Sequence, residues 1–320
     1  MQALLLIVAA LLGLVLFVGA ALALFAGWTA KRIERTLPPS GGFVEIDGAR
    51  VHYVERGEGP TLLLVHGLGG QLRNFTHSLT ERLDGFHVVA LDRPGSGYSD
   101  RQDDANARLT RQAAFVAAFI AAKKLDRPLL VGHSLGGAVA LATALDHPRS
   151  ISGLALLAPL THQQTEIPPI FRGLAIASPT MRRLVGWTLA IPASLRNRDA
   201  VMAAIFGPNA PPRDFPTRGG GLLGLRPKSF YATSTDFMAI NHDLPAQEVR
   251  YAELAMPVGI LFGTGDRILD HRRHGEAMAG KIARLELELV DGLGHMVQIS
   301  EPDRVALFLR KMAGKTFAPG

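Results

Sequence analysis

The chain has no cysteine. That excludes disulfides, thiolate nucleophiles and zinc–thiolate sites, and leaves oxygen and imidazole to carry any chemistry. It also lacks a run of about five or six like charges and a basic stretch interleaved with aromatic residues, so its net charge of +6 does not read as a nucleic-acid footprint. No internal repeat or low-complexity tract is evident. With 320 residues, 48% of them hydrophobic, the chain can bury a large α/β core. Neither a metal nor an organic cofactor is expected.

What the chain has in plenty is one uncharged apolar run at its start. Residues 3–27 are almost entirely Leu, Ala, Val, Ile, Phe and Gly, about 25 residues or roughly 38 Å of helix, enough to cross a bilayer. A cleaved signal usually has a basic start and a core of about 7–15 apolar residues. This run starts Met-Gln and is longer, which favours a membrane anchor over 1–30; the alternative is a cleaved signal and a secreted or periplasmic body. Lys31, Arg32 and Arg35 follow the run and no basic residue precedes it. The positive-inside tendency then puts the body in the cytoplasm, with Trp28 at the interface and anionic lipid as a partner. Residues 31–42, ending in Thr-Leu-Pro-Pro-Ser-Gly-Gly, are expected as a linker.

From residue 43 short apolar runs alternate with longer helical patterns, and strands are expected near 43–46, 50–55, 61–66, 86–91, 128–132, 153–158, 257–262 and 285–290. This rhythm predicts a doubly wound, mostly parallel eight-stranded α/β sheet, its first two strands an antiparallel edge hairpin across Asp47-Gly48. Between Pro159 and Glu253 the rhythm stops. Prolines, a Gly219-Gly220-Gly221 cluster and amphipathic stretches replace it, and a connection that long is an element with structure of its own. The core is expected over 43–160 and 254–320, with a helical cap inserted at 161–253.

Gly132-His133-Ser134-Leu135-Gly136 is a G-x-S-x-G motif. It follows the apolar run 128–131 and precedes the helical run 138–145, so it falls on a strand-to-helix turn. Gly132 and Gly136 allow close backbone approach around a strained turn, lifting the Ser134 hydroxyl clear of the sheet. The alternative for the motif by itself is a glycine-rich turn whose serine only caps the helix. Over residues 43–313 the chain resembles the α/β-hydrolase superfamily, with several motifs in the expected order. His66-Gly67-Leu68-Gly69-Gly70 is similar to the family's oxyanion loop. The resemblance implies that the backbone N–H groups of Leu68 and Leu135 bind a tetrahedral oxyanion, with His66, Gly67 and His133 as structural neighbours. Asp92-Arg93-Pro94-Gly95-Ser96-Gly97-Tyr98-Ser99 resembles the family's D-x-x-G-x-G-x-S turn, which is structural.

A serine hydroxyl needs a base, and the base needs a partner that fixes its tautomer. Asp266 follows the run 258–262 and His295 the run 285–290, which puts both at carboxyl ends of strands, where open α/β sheets carry their sites. The order Ser, Asp, His is the one this fold uses. Asp266 as an Asx-turn residue and His295 as a packed loop residue are the bland alternatives. Asp243, in Asn241-His242-Asp243, either orients substrate or closes a helix terminus, the second being favoured. A serine at the elbow excludes the dehalogenase and epoxide hydrolase branches, whose ester intermediate needs aspartate there. The leading expectation is hydrolysis of an apolar carboxylic ester. Carbon–carbon bond hydrolysis, cofactor-free perhydrolysis and a hydrolase-like receptor or scaffold are the alternatives.

Overall fold

The computed structural model describes residues 1–164 and 166–318. A helix α1 (Gln2–Thr36) leads into strands β1 (Gly42–Ile46), β2 (Ala49–Arg56), β3 (Thr61–Val65) and β4 (His87–Leu91). Then come α2 (Leu109–Ala122), β5 (Leu129–His133), α3 (Leu135–Asp146) and β6 (Gly153–Leu157). The insertion that follows holds α4 (Pro179–Trp187), α5 (Ala190–Arg196), α6 (Arg198–Phe206) and the long α7 (Pro227–Glu248). The chain closes with β7 (Val258–Gly263), β8 (Leu285–Val290) and α8 (Pro302–Phe317).

The eight strands form one sheet in the order β1-β2-β4-β3-β5-β6-β7-β8. β1 and β2 pair antiparallel, as do β2 and β4, and every other pairing is parallel. The β1–β2 turn lies at Asp47 and Gly48, with φ of 50° and 76°, the doubly left-handed backbone that a two-residue hairpin needs. The middle strands are Leu- and Val-rich and covered on both faces: β5, β6 and β7 are buried along their whole length. β8 lies at the edge and is half-exposed, and its Glu286 pairs with Lys311 and Lys315 of α8. Charge on an edge strand discourages further strand addition. Every residue of α3 from Leu135 to Leu145 is buried. Its small Ala and Gly side chains let it lie close on the sheet, directly behind the residue that precedes it, Ser134.

Each expected strand lies within one residue of its expected bounds, and the insertion is helical, without a strand among its described residues. The linker is shorter than expected. Residues 31–36 continue α1, because the first helix-breaking signal is Pro38, which disfavours helix at Leu37. The end of α1 is also held by the body. Ile33 and Leu37 are buried with Leu223, and Arg226, itself fully buried, reaches Glu34 at 3.2 Å, the Leu223 carbonyl at 3.2 Å and the Gly97 carbonyl. Its guanidinium lies 4.8 Å from the centre of the Tyr98 ring. Arg226→Ala leaves buried carbonyls without a donor and is expected to cost about 2–4 kcal/mol. The checks are the thermal midpoint of the detergent-solubilised chain and tryptic cleavage after Lys31, Arg32 and Arg35, which should become faster.

Candidate active site

Ser134 sits between β5 and α3 with φ +53° and ψ −120°, a left-handed backbone that a side-chain-bearing residue adopts only when its surroundings force it. Three hydrogen bonds do so: its N–H donates to Leu157 O at 3.0 Å, and its carbonyl accepts from Gly137 N at 2.8 Å and Leu160 N at 3.0 Å. The turn closes only with glycine on either side. A Cβ on Gly136 would stand 2.2 Å from the Val65 carbonyl oxygen, and one on Gly132 2.4 Å from that of Gly136. The result is a hydroxyl that makes no hydrogen bond to the described residues and faces a cavity of about 110 Å³.

His295 lines the same cavity. Its Nδ1 donates to Asp266 Oδ2 at 2.7 Å, and the Asp266 side chain is fully enclosed. The other carboxylate oxygen, Oδ1, accepts from Ile268 N at 2.7 Å and Leu269 N at 3.0 Å, so the carboxylate is fixed by the turn after β7. A carboxylate acceptor puts the imidazole proton on Nδ1 and leaves Nε2 a free base. His133 Nε2 donates to the His295 carbonyl at 3.1 Å, tying the histidine loop to the serine turn. The insertion ties it from the other side, where Asn209 Oδ1 accepts from Gly294 N at 2.8 Å.

The Leu68 and Leu135 N–H groups have no acceptor among the described residues, and Leu135 opens α3, where the first amide groups have no helical partner. Gly67 packs against the serine turn so closely that a Cβ there would stand 2.8 Å from the Ser134 Cβ. The rest of the wall combines apolar side chains, Phe171, Ile205 and Phe215 from the insertion and Ile268 and Met296 from the core, with the polar Gln71 and Asn74.

The family model of the alpha/beta hydrolase fold matches residues 60–200. The chain is an α/β-hydrolase-fold protein. It is 40% identical over 119 residues to the dihydrolipoyllysine-residue acetyltransferase component of the acetoin cleaving system of Cupriavidus necator; the match covers 37% of this chain and 32% of that protein. The chain thus spans about a third of the length of that relative. It is 32% identical over 132 residues to Lipase 1 of Psychrobacter immobilis, covering 40% of this chain and 41% of the lipase. Among solved structures it is similar to a membrane phospholipase A, at 24% identity and a TM-score of 0.68, over 99% of this chain and 98% of that one.

In this α/β-hydrolase-fold chain the loop bearing Gly67 and Leu68 rests on a residue that sequence reasoning passed over. Arg93 is completely buried. Its guanidinium donates to the carbonyls of His66 and Gly67, both at 2.9 Å, to Gln112 Oε1 at 2.6 Å and to Asp236 Oδ2 of α7 at 2.8 Å. The arginine therefore holds the loop and fastens the insertion to it. Its neighbour Asp92 is structural, as the motif implied: it accepts from Leu72 N at 2.8 Å, Tyr98 N at 2.9 Å and His52 Nδ1 at 2.7 Å. Burial alone would raise the Asp92 carboxyl, but the His52 hydrogen bond and nearby imidazole charges hold it below its ordinary value. Asp243 lies inside α7 away from the cavity wall and closes the start of α2, pairing with Arg108 at 2.5 Å and accepting from Thr110 N at 3.4 Å. It therefore closes a helix terminus on another element, not its own.

Three buried histidines are held neutral. His66 donates from Nδ1 to Gly67 O at 2.9 Å and accepts at Nε2 from Arg93 N at 3.0 Å; burial, with Arg93 beside it, lowers its pKa to about 4. Burial, with His162 nearby, lowers His274 to about 4 as well. His133 is pushed well below its ordinary value by burial and then by His295. His66 and His274 each take up a proton on unfolding once the pH is below about 6.5 and none when folded until about 4, so stability present above 6.5 is lost as the pH falls through that window. Lowering the pH from 7 to 5 is expected to cost about 2 kcal/mol per such histidine. Urea midpoints of the detergent-solubilised chain at the two pH values measure it; equal midpoints would contradict the neutral assignment.

Proposed function

We propose that the chain is a serine hydrolase that transfers the acyl group of a hydrophobic carboxylic ester to water. Ser134 is the nucleophile, His295 the general base and Asp266 the residue that orients it. The observation that carries this reading is the juxtaposition in one cavity of a strained, unbonded serine hydroxyl and an imidazole whose Nδ1–H is held by a buried carboxylate at 2.7 Å. His295 Nε2 takes the Ser134 proton as the hydroxyl oxygen attacks the ester carbonyl. The N–H groups of Leu68 and Leu135 receive the negative charge of the tetrahedral intermediate. The imidazolium returns its proton to the departing alcohol, and water, activated by the same histidine, releases the acid. His66, Gly67, Gly132 and Gly136 shape the loops and carry no proton.

The apolar wall of Phe171, Ile205, Phe215, Ile268 and Met296 supports a hydrophobic acyl chain, as do the lipase and phospholipase relatives. We also read α1 as a membrane anchor with the body on the cytoplasmic side. Ala26 is buried against the body, a contact that cleavage near residue 27 would sever, although Ile33 and Leu37 would stay with the body.

Ser134→Ala is expected to reduce hydrolysis of a short soluble ester at least 10³-fold and to abolish fluorophosphonate labelling without unfolding the chain, since the hydroxyl makes no stabilising bond. Asp266→Asn should cost about 10³–10⁴-fold through the wrong imidazole tautomer. Retention of activity within tenfold in either variant refutes the assignment. Arg93 is a positioning residue: Arg93→Lys loses the forked contact with two carbonyls, and kcat is expected to fall at least tenfold while KM changes less than about threefold.

A further inference from the structure

The face that α4 and α5 turn outward has the wrong polarity for water. On α4 the arginine at 182 points inward, its guanidinium bonded to Ile176 O at 2.7 Å and Thr235 Oγ1 at 3.1 Å. Met181, Leu184 and Trp187, three residues apart on the same helix, are exposed, and Leu189 and Leu195 continue the patch. Leu184 is 54% and Leu189 57% exposed. Exposed apolar side chains scattered singly need no explanation, but a contiguous set does.

The position of this face relative to α1 identifies what covers it. On α1 the buried positions are Ala26 and Ile33, two turns apart on one face, while Leu24, Phe25 and Trp28 are exposed. A Cβ on Gly27 would stand 3.5 Å from the Trp187 ring. Ala26 and Gly27, where the body meets α1, are the last residues of the apolar span. A body that touches the end of the span stands at the edge of the leaflet. Amphipathic helices seated at such an interface bury their apolar faces by about 5–10 Å. Basic groups lie on the same two helices and just after them: Arg183, whose guanidinium lies over the Tyr231 ring at 5.6 Å, and the exposed Arg196 and Arg198.

We propose that the α4–α5 face is seated in the acyl-chain region of the lipid bilayer beside α1. The insertion that walls the Ser134 cavity through Phe171, Ile205 and Phe215 is thereby the part of the body in contact with lipid. This inference rests on α1 being an anchor, but not on the chemistry at Ser134.

The chain's only tryptophans are Trp28 and Trp187, which makes the test direct. The full chain is reconstituted in phosphatidylcholine vesicles with brominated acyl chains, as Trp28→Phe to report Trp187 and as Trp187→Phe to report Trp28. The expected result is quenching of both single tryptophans by the brominated chains and protection of Trp187 from aqueous iodide. Quenching of Trp28 alone overturns the proposal and spares the anchor: Trp187 is then in water if iodide quenches it, or covered by a second copy if nothing does. Quenching of neither overturns the anchor itself. Combining Leu184→Glu with Leu189→Glu should lower hydrolysis of a vesicle-borne long-chain ester at least tenfold and leave a soluble short ester within twofold.

Discussion

The backbone at Ser134 is the constraint around which the rest of the molecule is arranged. A non-glycine residue held at φ +53° costs on the order of 1–3 kcal/mol, and the surrounding strands supply the compensation. The end of β6 receives the Ser134 N–H, the turn that follows it donates back to the Ser134 carbonyl, and β3 presses its last carbonyls against Gly136. Strands β3, β5 and β6 are all parallel and all fully covered around that point. They leave the turn no room to relax. That conformation, held by the strands around it, is what turns the Ser134 side chain toward the cavity.

Around the turn the polar groups form a closed system that leaves few degrees of freedom. Arg93 fixes two consecutive carbonyls of the loop carrying Leu68, His66 is neutral because burial and Arg93 leave no place for a second proton, and Asp236 balances the arginine from α7. Arg101 reaches the same aspartate from the loop after β4. Removing either partner of such a buried pair strands a charge. The network therefore couples the position of the helical insertion to the geometry of the loop that carries Leu68, two features that would otherwise be free to drift independently.

The insertion faces three ways. Its inner side walls the cavity, its lower side is fastened to the core by Asp236, Asp243 and Asn209, and its outer side lies against α1. Since α1 extends as one helix from the apolar span to Thr36, the body is held rigidly to the span and not tethered by a flexible linker. A rigid mount fixes the depth and orientation of the body relative to whatever the span is embedded in.

All eight strands, the hairpin turn, the insertion and the grouping of Ser134, Asp266 and His295 at one end of the sheet were legible in the residues. The reason is physical: a parallel strand buried on both faces is a continuous apolar run between breakers, and a left-handed turn at Asp47-Gly48 or a glycine-flanked serine leaves a local signature. What the sequence did not disclose depends on partners far apart along the chain. Arg93 looks like one more residue of a turn motif until the fold brings Asp236, 143 positions away, to its guanidinium. Asp243 read as closing a helix terminus, but which helix was not legible, because only tertiary packing sets α7 across the start of α2. Residues 31–36 read as linker since their polarity suits one, yet the contacts of Ile33 and Glu34 with the insertion keep them helical. Local pattern thus determined which elements exist and where Ser134, Asp266 and His295 stand on them; the tertiary structure decided which apolar side chains wall the cavity and which face outward beside α1, because hydrophobicity alone does not distinguish a core position from an exposed one.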